Sequence, residues 1–462
     1  VKFVKTKILA VGVVAMWLVA FEARGDAVTF STFFEFGGTN GAYPNAGLVQ
    51  GTDGSFYGTT YLGGTNDNHG TVFRITTNAT LASLVSFSYT NGSGLGTTLV
   101  QGRDGYFYGT AYQGGVLENG GYGTVFQVAT NGALTNLFIF PALTNAYPRA
   151  GLVQGNDGNL YGTTDIGGTN GGYGTVFQIT TNGTFTTFAS FNNTNGAYPF
   201  ATLIQANDGN FYGTTPSGGT NNPGYGTIFK LTTNGTITAL VSFNNTNGTY
   251  PYGSLIQARD GSFYGTTRNG GTNGDNGTVF KLTTNGVLTT LISFNGTNGA
   301  NPLAGLVQGS DDNFYGTTIS GGTNSPGYGT IFKLTTNGII TTLVSFNSTN
   351  GATPTAGLMQ SNDGNFYGTT SSGGANGFGT IFRFSIVPTP QPVIQMVGQN
   401  AGVLTFTWSA VPNETYQPQY STNLLSTNWF NLGGVLAATN SSLSASDFAT
   451  NLQRFYRVLL LP

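Results

Sequence analysis

Residues 201–243 read ATLIQANDGNFYGTTPSGGTNNPGYGTIFKLTTNGTITALVSF, and the stretch divides into four short runs. Ala201–Gln205 leads through the Asn207-Asp208-Gly209 turn into Asn210–Thr215. A Gly/Asn-rich loop, Pro216–Tyr225, precedes Gly226–Thr232, and the Asn234-Gly235 turn joins that run to Thr236–Phe243. The runs are five to eight residues long, rich in Val, Ile, Thr, Phe and Tyr, and bounded by Asp-Gly and Asn-Gly. That pattern predicts antiparallel strands, here A to D. Glycine supplies the positive φ that such tight turns need.

The unit recurs. The string D-G-x-F-Y-G-T-T returns around Tyr57, Tyr108, Tyr161, Tyr212, Tyr264, Tyr315 and Tyr367, at spacings of 51, 53, 51, 52, 51 and 52 residues. Departures are small: Ala111 replaces the last Thr, Leu160 replaces Phe and Asp312 replaces Gly. No segment after residue 28 sustains a helical period. A lone four-stranded blade cannot bury both faces, and packing blade on blade around a ring does so. Strand order separates a ring from an open stack, which would need capping repeats. Val28–Phe36 is D-like, preceding GGTNGAYP as Phe191 precedes NNTNGAYP. The seventh unit ends at its C strand, Gly379–Phe384. One extra D strand in front and one missing behind predict that the two pair, removing the free edge. The expected fold class is all-β: a seven-bladed β-propeller over 28–386 closed by the N-terminal strand, followed by a small β-sandwich.

The recurring pattern GLVQ-x-x-DG-x-FYGTT-x-x-GG-x-N…GTVF-K-L-TTNG resembles the Gloeo/Verruco (GloVer) tandem-repeat family over about 28–386. That family comprises exported bacterial proteins with varied C-terminal anchors. The resemblance implies a surface or envelope protein and brings no catalytic residues with it.

The two ends differ from the repeats. Lys2, Lys5 and Lys7 precede an apolar run, Ile8–Phe21, and small residues follow, which predicts a signal peptide over 1–27 cleaved after Gly25 or Ala27. Its 14 apolar residues are short for a membrane span. The expected destination is secreted or the cell surface. Residues 387–392 (VPTPQP) read as a stiff proline linker. In 393–462, Val403–Val411, Thr415–Ser421, Asn428–Leu432 and Arg454–Leu461 are strand-like, and Trp408 with Tyr416 and Tyr420 resembles a fibronectin-III-like sandwich.

Composition narrows the chemistry. The 462 residues include 73 Gly and one His, with no Cys, and charged residues make up only 7%. Thiolate metal sites, disulfides and cysteine nucleophiles are excluded, as are multi-histidine metal sites. Lys and Arg number 15 against 17 Asp and Glu, so no surplus charge points to nucleic acid. No cofactor is expected.

Three groups of residues invite a functional reading. Asp53, Asp104, Asp157, Asp208, Asp260, Asp311 and Asp363 sit in A–B turns; they read as turn-capping carboxylates, with calcium binding the sharper alternative. The Phe-Tyr pairs of strand B read as core, and a buried tyrosine hydroxyl needs a partner that the adjacent threonines can supply. His69, at a slot held by tyrosine in other repeats, reads as a loop substitution. With Asp67 it offers an acid–base alternative, and Asp165, Glu118 and Asp275 are non-repeated carboxylates in or beside B–C loops.

The variable loops are the stronger signal. In an up-down-up-down blade the B–C and D–A connections share one face, and here they vary and carry tyrosines: Tyr122, Tyr173, Tyr225 and Tyr328 from B–C, Tyr43, Tyr147, Tyr198 and Tyr250 from D–A. Variable loops on a rigid scaffold are binding loops. The leading expectation is a non-catalytic exported protein binding a glycan or a surface protein through these eight tyrosines. The alternatives are a carbohydrate-active enzyme using Asp165, Asp67 or Glu118, and a purely structural envelope protein.

Overall fold

Alternating β-formers between glycine turns become short antiparallel strands throughout. The computed structural model describes residues 27–115, 121–141, 146–387, 392–422, 428–448 and 454–461. The stretch up to residue 26, where a signal peptide is expected, Glu118 and most of the proline-rich segment lie outside them. The chain divides into two compact units, one over Phe30–Ser385 and one containing Ile386–Pro462.

The first unit is all-β and propeller-like, made of seven four-stranded antiparallel sheets. Its opening strand is β1 (Ala27–Glu35), followed by β2 (Val49–Gln50), β3 (Phe56–Thr60), β4 (Thr71–Ile75) and β5 (Leu81–Ser86). Sheet order β2-β3-β4-β5 repeats in the following five sheets. In the seventh, β1 occupies the outer position beside Thr380–Val387, and Phe36 N donates to Gly379 O at 3.1 Å. Strand A is shorter than the sequence suggests. Only its last two residues join the ladder, because the preceding segment turns away to line the centre of the unit.

The burial of both faces explains the sequence of strand B. All five residues of this strand are buried in every repeat, as FYGTT is in β3. Tyrosine of one repeat meets the Phe of the next: Tyr57–Phe107 at 4.0 Å between centroids, Tyr212–Phe263 at 4.3 Å, and Tyr367–Phe56 at 4.4 Å. The mid-strand glycine is demanded by close approach. A Cβ on Gly213 would stand 2.7 Å from Phe229 Cζ of strand C and 3.0 Å from Leu203 Cδ2.

Polar side chains join each repeat to its neighbour. Gln101 Oε1 accepts from Thr52 N, Gln205 Oε1 from Asn156 N and Gln257 Oε1 from Asn207 N, at 2.8–3.0 Å. Gln50 Oε1 takes Asn362 N of the seventh repeat at 3.0 Å. The first threonine after the mid-strand glycine works similarly in most repeats, Thr163 being the exception with its hydroxyl unpaired: Thr214 Oγ1 donates to Gly253 O and Thr369 Oγ1 to Ala46 O, both at 3.0 Å. The second threonine instead pairs within its own sheet, as Thr215 does with Thr227 at 2.8 Å.

Threonine is therefore not the tyrosine hydroxyl's partner. In every repeat the hydroxyl donates to the turn aspartate four residues back, at 3.0 Å in Tyr57–Asp53, 2.8 Å in Tyr212–Asp208 and 2.9 Å in Tyr367–Asp363. Turn geometry folds the aspartate over the tyrosine's end, while the first threonine is drawn to a carbonyl of the next repeat and the second to a carbonyl of its own loop and to the strand-C threonine.

In the second unit, Ile394–Asn400, Val403–Ser409 and Ser442–Phe448 form one sheet. Thr415–Ser421, Phe430–Asn431, Leu436–Ala437 and Phe455–Leu461 form another. Trp408, Phe406, Tyr416, Tyr456 and Val458 share one core. Tyr416 Oη accepts from Val411 N at 2.8 Å.

Candidate functional site

The antiparallel order of each sheet puts A–B and C–D turns at one end of the blades and B–C and D–A connections at the other. At the turn end the aspartates are occupied. Asp208 accepts from Asn210 N at 3.0 Å, Tyr212 Oη at 2.8 Å and Lys230 Nζ at 2.9 Å. Burial pushes its carboxyl up, but the bonds from Asn210, Lys230 and Tyr212 outweigh this and hold it well below the usual carboxylate range. Asp53, Asp157, Asp260, Asp311 and Asp363 are lowered by the same balance. Their tyrosine partners move the other way: burial first, then the aspartate, push Tyr57 and Tyr161 up to about 12. Among the described residues no group of three or more His, Cys, Asp or Glu is placed to hold a metal ion. These carboxylates brace strand B.

At the opposite end the eight tyrosines form a rim of neighbour pairs. Tyr147 packs on Tyr122 at 5.1 Å, Tyr198 on Tyr173 at 6.1 Å, Tyr250 on Tyr225 at 6.4 Å and Tyr43 on Phe378 at 6.3 Å. Each D–A tyrosine also donates its backbone N–H to the carbonyl of its B–C partner, as Tyr198 N does to Tyr173 O at 2.9 Å. Tyr328 O accepts from Thr353 N at 2.9 Å. Tyr43, Tyr198 and Tyr250 stay exposed, and the other five are half-buried.

None of the eight lines the cleft at this end. A cavity of about 380 Å³ opens there, walled by Tyr61, Tyr112, Arg149, Phe200, Tyr252, Arg268, Leu303, Thr355 and Asn45. Below it a central space of about 250 Å³ is ringed by one segment from every repeat, among them Ala46-Gly47, Ala201-Thr202 and Ala304-Gly305. Two repeat positions supply most of the wall. One precedes strand A, following a proline in six repeats, and holds Asn45, Gly96, Arg149, Phe200, Tyr252, Leu303 and Thr355. The other follows FYGTT and holds Tyr61, Tyr112, Asp165, Pro216, Arg268, Ile319 and Ser371. Chemistry differs at nearly every repeat at these two positions, whereas the nearby Gly, Thr, Leu and Phe of the strands recur. Alignment of the seven repeats position by position would have exposed both.

One arc of the wall alternates rings and guanidiniums. Arg149 lies 4.1 Å over the Tyr112 ring and 5.6 Å from Phe200. Phe200 meets Tyr252 edge-on at 5.3 Å, and Arg268 lies 5.9 Å from the Tyr252 centroid. Asp165 is brought here, its Oδ2 2.8 Å from Arg149 Nε. Burial raises its carboxyl above the usual value, with Arg149 opposing the shift. Arg149 also donates to Tyr112 Oη at 2.5 Å.

The other carboxylates go elsewhere. Asp275 caps its own loop through Gly270 N and Asn269 Nδ2, and Asp67 is exposed at φ 54°. His69 Nδ1 pairs with Ser93 Oγ at 2.9 Å and its ring lies 5.6 Å from Tyr89. His69 thus takes the part that tyrosine plays in other repeat pairs, against the next repeat's D–A connection.

The Gloeobacter/Verrucomicrobia repeat matches residues 17–225, 99–308 and 202–394 in overlapping frames. The chain belongs to this repeat family. Among curated proteins no sequence matches it. Solved structures similar to this Gloeobacter/Verrucomicrobia repeat protein include a gluconolactonase from Xanthomonas campestris, at 13% identity and TM-score 0.37, covering 57% of this chain and 78% of that one. A putative glucose dehydrogenase from Thermus thermophilus is 16% identical at TM-score 0.40, covering 78% and 100%. A PQQ-bound aldose sugar dehydrogenase from Streptomyces coelicolor is 11% identical at TM-score 0.39, covering 79% and 100%. No activity passes from these proteins to this member of the repeat family.

Proposed function

We propose that this protein is an exported, non-catalytic binding protein, a closed seven-bladed propeller that takes a saccharide in the axial cleft of its B–C/D–A end. The observation carrying the reading is the composition of the cleft wall. Half-exposed Phe200, Tyr252, Tyr112 and Tyr61 offer ring faces, and their neighbours offer hydroxyl and guanidinium donors. Aromatic faces against sugar C–H groups, with a few placed polar groups, fit a polar ligand of pocket size. Closure is supported by the Gln50–Asn362 and Thr369–Ala46 bonds, which join the seventh repeat to the first as other repeats are joined. Export is supported by the basic and apolar start of the sequence.

Among the described residues, binding is favoured over hydrolysis because Asp165, the carboxylate at the cleft, is engaged by Arg149, and Asp275 is spent on its own loop. The rim tyrosines, tied in pairs, extend the contact surface outside the cleft. A glycan array probed with the full chain and with F200A/Y252A tests the reading. The expected outcome is binding that the double substitution abolishes; silence of the unmodified chain at high concentration refutes it.

A further inference from the structure

The charges in the cleft carry the reading further. Arg149 and Arg268 face it, and Asp165 answers only Arg149. Among the described residues two guanidiniums against one carboxylate leave a surplus of one positive charge, in a chain whose formal net charge is −2. Arg149 is half-buried and held in place by an ion pair with Asp165, a hydrogen bond to the Tyr112 hydroxyl and the Tyr112 ring. Arg268 differs. Its side chain is exposed, and its side-chain neighbour is the Tyr252 ring at 5.9 Å. Its backbone is fixed by Arg268 N donating to Tyr250 O at 3.1 Å and by Asn301 Nδ2 donating to Arg268 O at 3.2 Å. A guanidinium on an anchored backbone beside the Tyr252 ring has donors free for a ligand.

We propose that the cleft selects a carboxylate-bearing saccharide, with Arg268 taking the carboxylate and Phe200 and Tyr252 the sugar face. This rests on the saccharide reading above and adds the acidic group to it. A guanidinium fork matches a carboxylate with two parallel N–H···O bonds, and an ammonium at the same place does not. Among the described residues the rest of the wall, with Leu303, Thr355 and Asn45, carries no charge. Selectivity for the acid therefore comes from one side of the cleft.

The test is calorimetric titration of the full chain with oligomers of galacturonic acid and of glucuronic acid, each beside its carboxyl-reduced neutral counterpart. The acid form of one oligomer is expected to bind about tenfold or more tightly than its neutral form, equivalent to one charge-assisted contact. R268Q removes that preference, weakening binding of the acid form at least about fivefold more than binding of the neutral form; R268K restores part of it. Arg268 is exposed, so both variants should fold, and unchanged thermal melting confirms it. Equal binding of acid and neutral forms overturns the acidic preference while leaving the saccharide reading intact. An acid preference that survives R268Q overturns the role of Arg268. Failure of every oligomer to bind overturns this inference, and silence across the neutral array as well sinks the saccharide reading with it.

Discussion

Replacing Asp208 by alanine should cost more stability than replacing Tyr212 by phenylalanine, although each removes the same 2.8 Å hydrogen bond. Tyr212 is 6% exposed, and in D208A its hydroxyl is stranded, at about 1–3 kcal/mol for an unmade buried bond. The turn also loses Asn210 N on the carboxylate, about 0.5–1 kcal/mol. The Lys230 pair adds no more than about 0.5 kcal/mol, because Asp208 is 43% exposed and screened by solvent. The sum is about 1.5–4.5 kcal/mol. Y212F keeps the ring on Phe263 at 4.3 Å and leaves the aspartate with Asn210, Lys230 and water. Its cost is one net hydrogen bond, about 0.5–1.5 kcal/mol. In D208A/Y212F no hydroxyl is stranded, so the double variant should be no less stable than D208A alone. Urea unfolding of the four proteins measures the cycle. Strict additivity, or a Y212F cost equal to that of D208A, would show that the aspartate does not satisfy the tyrosine.

Three further outcomes are expected. Q50A and Q205A should lower stability equally, by about 1 kcal/mol, because Gln50 serves the junction of the seventh and first repeats as Gln205 serves an internal one; a silent Q50A, read by thermal melting, would mean an open junction. G213A should cost about 1–3 kcal/mol by overpacking against Phe229, whereas G209A tests only turn conformation, since a Cβ there meets nothing within 4 Å. Stability should fall at both pH extremes. The turn aspartates are depressed, so their contribution is present above the unfolded value near ~4 and is lost as pH drops through the lower folded values. Tyr57 and Tyr161, raised to about 12, contribute fully below ~10 and lose that contribution as pH climbs toward 12. A melting temperature flat from pH 3 to pH 5 would contradict the aspartate half.

Much of the first unit was legible because its punctuation repeats. Asp-Gly and Asn-Gly fixed the turns, and the misplaced D-like run of Val28–Phe36 pointed to the pairing that β1 makes in the last sheet. The tyrosine partner was misread because strand alternation says which face a side chain takes, not that a hairpin turn folds an aspartate back over its end. The rim tyrosines drew attention because they sit in variable loops, and Tyr122, Tyr173 and Tyr225 pack on Tyr147, Tyr198 and Tyr250 of the next connection. Arg149, Phe200, Tyr252 and Arg268 line the cleft, and each stands out only when its own position is compared across repeats. Arg149 and Asp165, 16 positions apart and both unique to the third repeat, carried a pairing signal of the same kind. In the second unit, Ile394–Asn400 and Ser442–Phe448 lacked bulky residues at regular spacing and went unread.

The most direct measurement is a crystal structure of the full chain grown with a bound oligosaccharide. Sugar density against Phe200 and Tyr252 within reach of Arg268 is the expected result. Density on the rim tyrosines alone, on the turn end, or on the second unit with the cleft empty would contradict it.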